Sequence, residues 1–129
     1  MISGVGIDIL EIKRLKRILD SKKGKIFLED VFTEKEINYA KKKRWPENLA
    51  TAFAAKEAIF KTLDLSRSKS KKTNLREIEI LRKPSGKPYV SLKGSLAEIF
   101  PEEKFRFFIS LSFTGELAVA IAILEKINR

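Results

Sequence analysis

The sequence predicts an α+β fold in a single domain spanning residues 1–129, with helices packed on an antiparallel sheet. Three observations carry this expectation. Apolar residues recur at helical spacing through the first half, from Ile12 to Leu63. Alternating or continuous apolar runs of strand length fill the second half, from Ile78 to Leu124. The chain of 129 residues is long enough for one real core, and no internal repeat or composition shift marks a second domain.

Taken in order, residues 2–10 (ISGVGIDIL) read as a buried strand. Val5, Ile7 and Ile9 share one side; Gly4, Gly6 and Asp8 share the other. Glycine within a strand marks a close backbone approach, so Asp8 is an acid in an apolar strand with little bulk around it. EIKRLKRILD reads as a short amphipathic helix with Ile12, Leu15, Ile18 and Leu19 inward and basic residues over the remainder. Gly24 is expected to end that segment, after which Ile26, Phe27, Leu28, Val31 and Phe32 supply core. Thr33 and Glu36 fit a capping box that starts a helix, and the run Lys41–Arg44 ends it, where cations suit the helix dipole.

A helix from about Asn48 to Leu63 follows Pro46. Leu49, Ala52, Phe53, Phe60 and Leu63 fall in one arc of it, and Lys56 falls inside that arc, where a lysine ordinarily snorkels to water. Glu57 and Lys61 stand one turn apart on its flank. Residues 64–74 read as a polar, basic loop. REIEILRK and YVSLK are strands joined by the turn PSGKP, GSLAEIF is a short helix, and FRFFISLSF with LAVAIAIL forms a buried hairpin at the centre of the sheet.

Two absences narrow the chemistry. The chain has no Cys and no His, which removes disulfides, thiolate nucleophiles, imidazole bases and soft metal ligands. A metal here would be held by oxygen, favouring a hard cation such as Mg²⁺. The 27 Lys and Arg against 17 Asp and Glu give a formal charge of +10, suited to a nucleic acid, an anionic membrane, a phosphorylated small molecule or an acidic protein. No apolar run is long enough to span a membrane, and the N-terminal segment has its apolar and charged parts in the wrong order for a secretory signal, so a cytoplasmic location is expected. Neither a P-loop, a dinucleotide fingerprint nor an RNA-binding sheet signature occurs. What remains from chemistry alone is one option among several: a metal site at Asp8 and Glu57, completed by substrate phosphate and water, with Lys56 and Lys61 beside it.

The motifs GVGIDILEIKRLKRI, FTEKE, AFAAKEAIFKTL, SGKPYVSL and SLSFTGELAVAIAIL, in that order, resemble those of the holo-[acyl-carrier-protein] synthase family of 4′-phosphopantetheinyl transferases. The resemblance covers essentially the whole chain. It implies the transferase fold of that family and Mg²⁺-dependent transfer of 4′-phosphopantetheine from coenzyme A to a serine of acyl carrier protein in fatty acid biosynthesis. Adenosine 3′,5′-bisphosphate would be released. By motif, it implies Asp8 and Glu57 as metal ligands and Glu57 and Lys61 as catalytic groups. Lys56, Lys61, Ser85, Gly86, Pro88, Ser112 and Thr114 would bind the coenzyme, and Lys13, Arg14 and Arg17 would dock the carrier protein. The serine proton would pass to Glu57 or to a metal-bound water. A homotrimer with sites between subunits is implied, with no nucleic acid or membrane as partner.

Three positions differ from the family pattern: Ala52 where Arg is usual, Phe113 where His is usual, and Ser85 where Asn is common. Those changes and the net charge leave two other readings open. One is a coenzyme-binding relative that no longer catalyses; the other is a basic polyanion binder.

Overall fold

The structure is a computed structural model that describes residues 1–65 and 74–128; the central part of the loop expected over 64–74 lies outside them. Chain order is β1 (Ile2–Glu11), α1 (Ile12–Asp20), α2 (Gly24–Val31), α3 (Glu34–Lys43), α4 (Glu47–Thr62), a 3₁₀ turn (Leu75–Glu77), β2 (Ile78–Arg82), β3 (Pro88–Leu92), α5 (Gly94–Ile99), β4 (Phe105–Phe113) and β5 (Leu117–Lys126). The strands form two antiparallel sheets, β1-β5-β4 and β2-β3. The α+β expectation holds. The hairpin β4–β5 forms, but the expectation that both strands lie buried at the centre of the sheet is corrected: β5 is central, while β4 is at an edge with Phe108, Ser110 and Ser112 exposed.

Small residues decide how the layers meet. Gly4, Gly6 and Asp8 of β1 pair with Leu124, Ala122 and Ala120 of β5, and this face of the sheet receives α4. Ala54, Ala55 and Ala58 on the helix and Ala118, Ala120 and Ala122 on the sheet are all fully buried. The backbones approach so closely that a Cβ at Gly6 would collide with the Ala58 carbonyl oxygen, and one at Gly4 with that of Thr62. Glycine at these positions lets the helix lie against the strand.

Four further readings of the sequence need correction. First, β1 is covered on its glycine and aspartate face only: Val5 and Ile7 are 61% exposed and Ile9 63%. Their side chains are on the opposite side of the sheet from α4, where none of the described residues covers them. Second, Gly24 begins α2 rather than ending a segment, packed where a Cβ would strike the Leu19 carbonyl oxygen. Third, Ile26 on that helix faces solvent instead of the core. Fourth, α4 is buried nearly all round. Its deepest residues include Ala54, Ala55, Ala58 and Ile59, while Phe60 is partly exposed. A helix held by a sheet on one side and by α3 and β2 on the other has no single apolar arc.

The capping box at the start of α3 forms as expected. Thr33 N donates to Glu36 Oε1 at 2.8 Å, and Glu36 N donates to Thr33 Oγ1 at 3.4 Å.

Candidate active site

A cleft of about 290 Å³ opens where the end of β1 meets α1, α2 and α4. Asp8, Leu10, Arg14, Ile18, Phe53 and Glu57 are among its lining residues. The two acids arrive from opposite directions. Asp8 projects from the glycine face of β1 toward α4, and Glu57 lies on the flank of α4 beside it. The chain thus brings together two carboxylates 49 positions apart in sequence.

Their electrostatics register this proximity. Burial, followed by the charge of Asp8, pushes the Glu57 carboxyl above its ordinary pKa; Lys61 pulls it partly back. Lys61 Nζ donates to Asp8 Oδ1 at 3.2 Å and to the Ile7 carbonyl at 2.9 Å. Among the described residues no third acid, His or Cys joins the pair. Two carboxylates with space beside them fit a hard cation that takes its other ligands from phosphate oxygen and water.

Lys56 does not belong to this cleft. Its ammonium is fully buried, 2.8 Å from Glu36 Oε1, and donates to the carbonyls of Leu75 at 3.0 Å and Ile78 at 2.6 Å. All three of its donors are used inside the protein, so the expectation that it binds coenzyme phosphate is corrected. It does not snorkel either. Burial is the main influence and lowers its pKa, opposed by the Glu36 carboxylate.

The other expected residues are scattered within one chain. Ser85 and Gly86 lie in the β2–β3 turn and Pro88 opens β3, with Gly86 at φ +91° and its carbonyl accepting from Arg82 Nη1 at 3.1 Å. Ser112 is exposed on the outer face of β4. Thr114 Oγ1 accepts from the backbone nitrogens of Glu116 and Leu117 in the β4–β5 turn. None of these five lines the cleft. Lys13 and Arg17 are exposed on α1, whereas Arg14, next to them, lines the cleft itself.

Two features escaped the sequence reading. Glu36 is the partner of Lys56, and its capping-box motif carried no sign of that second role. Arg44 lies over the Phe113 ring at 5.2 Å, a pairing that depends on two positions 69 apart.

This fold and cleft define the class. The chain belongs to the 4′-phosphopantetheinyl transferase superfamily, whose family model matches residues 4–122. Within it the relatives are holo-[acyl-carrier-protein] synthases, so the chain is an enzyme of that kind and the resemblance read from the motifs is borne out. The synthase of Clostridium botulinum is 41% identical over 128 residues, covering 98% of this chain and 100% of that one. That of Alkaliphilus metalliredigens is 41% identical over 125 residues, covering 95% and 98%. Among solved structures, the ACPS–CoA complex of Chronobacterium ammoniagenes superposes with a TM-score of 0.81 at 27% identity, covering 97% of this chain and 98% of that one. The Bacillus anthracis synthase in complex with CoA (3′,5′-ADP) gives 0.75 at 32% identity, covering 98% and 99%.

Proposed function

We propose that this chain transfers the 4′-phosphopantetheine arm of coenzyme A to a serine of an acyl carrier protein, releasing adenosine 3′,5′-bisphosphate. The carrying observation is the meeting of Asp8 and Glu57 in one cleft with Lys61 beside them, on a chain 41% identical to a holo-[acyl-carrier-protein] synthase. The serine oxygen attacks the phosphorus attached to the pantetheine arm, and its proton passes to Glu57 or to water in the cleft. The bond from that phosphorus to the bridging pyrophosphate oxygen breaks, and the adenosine half leaves with that oxygen.

Asp8 and Glu57 are the residues that would hold Mg²⁺, which supplies charge neutralisation at the pyrophosphate when bound. Lys61 would place an ammonium beside the same phosphates. Arg14, in the cleft wall, and Lys13 and Arg17, on the exposed side of α1, would receive the acidic carrier. A role in fatty acid biosynthesis in the cytoplasm follows from the carrier as substrate. Among the described residues no helix is long and apolar enough to cross a membrane.

The assembly proposed is a homotrimer. Its support is the uncovered apolar face of Val5, Ile7, Ile9, Phe108 and Ile121, which a soluble monomer would leave in water. Ser112 lies on that face and Thr114 at its end, so packing through it is the way a neighbour's cleft would gain these residues.

Intact-mass measurement of apo carrier protein incubated with this chain, coenzyme A and Mg²⁺ tests the reaction. A gain of one phosphopantetheine mass, lost when chelator is added, is expected. Binding of coenzyme A with no mass gain would favour the non-catalytic reading, and salt-sensitive nucleic-acid binding with neither would favour the polyanion reading.

A further inference from the structure

Lys61 holds two acceptors of different kinds. The Ile7 carbonyl, 2.9 Å away, belongs to a strand that among the described residues pairs only with β5, and it is a backbone group outside the cleft lining. Asp8 Oδ1, 3.2 Å away, is one of the two carboxylates lining the cleft. The Asp8 side chain is only 18% exposed, so water solvates its charge poorly and the ammonium supplies the missing counter-charge. The Lys61 side chain is itself 52% exposed, so it has room to move.

A small divalent cation binds carboxylate oxygen at roughly 2.1 Å. Placed on Asp8, it would stand close to an ammonium hydrogen-bonded to the same carboxylate, and like charges at that range repel. We infer that Lys61 is the resident counter-cation of Asp8, and that a divalent cation must displace it from the carboxylate. Lys61 then pivots on the Ile7 carbonyl, and its released donors turn to the coenzyme phosphate. This rests on the reading of Asp8 and Glu57 as a cation site. It makes cation and coenzyme mutually reinforcing: the phosphate gives Lys61 a new acceptor, and the cation then meets no competitor.

The test is direct Mn²⁺ binding to the coenzyme-free full chain, read by electron paramagnetic resonance, for wild type, Lys61→Met, Lys61→Gln and Asp8→Asn. Both Lys61 variants remove the charge at a half-exposed position, and thermal melting confirms that they fold. Each is expected to bind Mn²⁺ about two- to five-fold more tightly than wild type, the scale of an exposed ion pair. Asp8→Asn is expected to bind at least about ten-fold more weakly, as loss of an anionic ligand requires. If both Lys61 variants bind no more tightly than wild type while Asp8→Asn is weakened, the displacement is overturned and the cation site stands. If Asp8→Asn binds like wild type, the cation site itself fails, and the displacement fails with it.

Discussion

Lys56 Nζ lies 2.8 Å from Glu36 Oε1, with 0% of the lysine side chain and 1% of the glutamate side chain exposed. The pair joins three parts of the fold. Glu36 also accepts from Thr33 N at the start of α3 and from Ile80 N on β2 at 2.9 Å, while Lys56 reaches from α4 to the carbonyls of Leu75, the first residue of the 3₁₀ turn, and Ile78, just after it. Removing one member leaves the other charged and buried. Lys56→Met should therefore destabilise the protein by about 3–5 kcal/mol. Denaturant unfolding measures this. In the fraction that remains folded, the KM for coenzyme A should stay near wild type, whereas a phosphate-binding lysine would raise it.

The close approach of β1 to α4 makes its own prediction. Gly6→Ala forces a methyl group against the Ala58 carbonyl oxygen and pushes strand and helix apart. A cost of about 1–3 kcal/mol is expected from the overpacking. Because Asp8 is on the strand and Glu57 on the helix, divalent-cation affinity should fall as well. Unfolding and Mn²⁺ titration of the same variant report the two effects.

Glu57 should leave a mark on the pH dependence of stability. Its folded pKa is raised above 4.5 by burial and by Asp8. Between those values the folded state binds more protons than the unfolded one, so this group's contribution to stability is lost as pH rises through the window. Glu57→Gln removes that term. In cation-free protein the melting temperature should fall less between pH 4.5 and pH 7 for the variant than for wild type. Calorimetry across that range, with chelator present, measures the difference.

The uncovered face of the sheet predicts an assembly that a single charge disrupts. Ile7→Glu places a carboxylate beside Ile121 in the face that also carries Phe108, and Ile7 is not part of the core cluster of its own chain. Sedimentation should show a trimer for wild type and a folded monomer for the variant, with circular dichroism unchanged.

Local rules reached far into this fold. The T-x-x-E box located the start of α3, and the PSGKP and TGE breaks located two hairpins, because capping and turn chemistry depend on residues within a few positions. The alternation in β1 correctly separated Val5, Ile7 and Ile9 from Gly4, Gly6 and Asp8. Hydrophobicity then suggested burial of the strand, yet within one chain the glycine face is the covered one. Whether an apolar face is covered depends on what packs there, and a helix approaching at backbone contact selects glycine over bulk. Lys56 was misread for a related reason. Its partner Glu36 is 20 positions away on another helix, and a spacing argument sees only neighbours at three or four. Asp8 and Glu57 were legible as acids in apolar settings, but their meeting is a property of the β1–α4 packing. Residue chemistry offered it as one option among several, and the motif resemblance singled it out.

Transfer by Asp8→Asn and Glu57→Gln tests the central claim most directly. Both substitutions keep side-chain size and remove one anionic ligand, so both variants should melt near or above the wild-type temperature. The rate of phosphopantetheine mass gain by apo carrier protein at saturating coenzyme A and Mg²⁺ should drop by at least about a hundred-fold in each, roughly 2.7 kcal/mol of transition-state stabilisation. Wild-type transfer by either folded variant would contradict the claim that these two carboxylates jointly hold the cation on which the reaction depends.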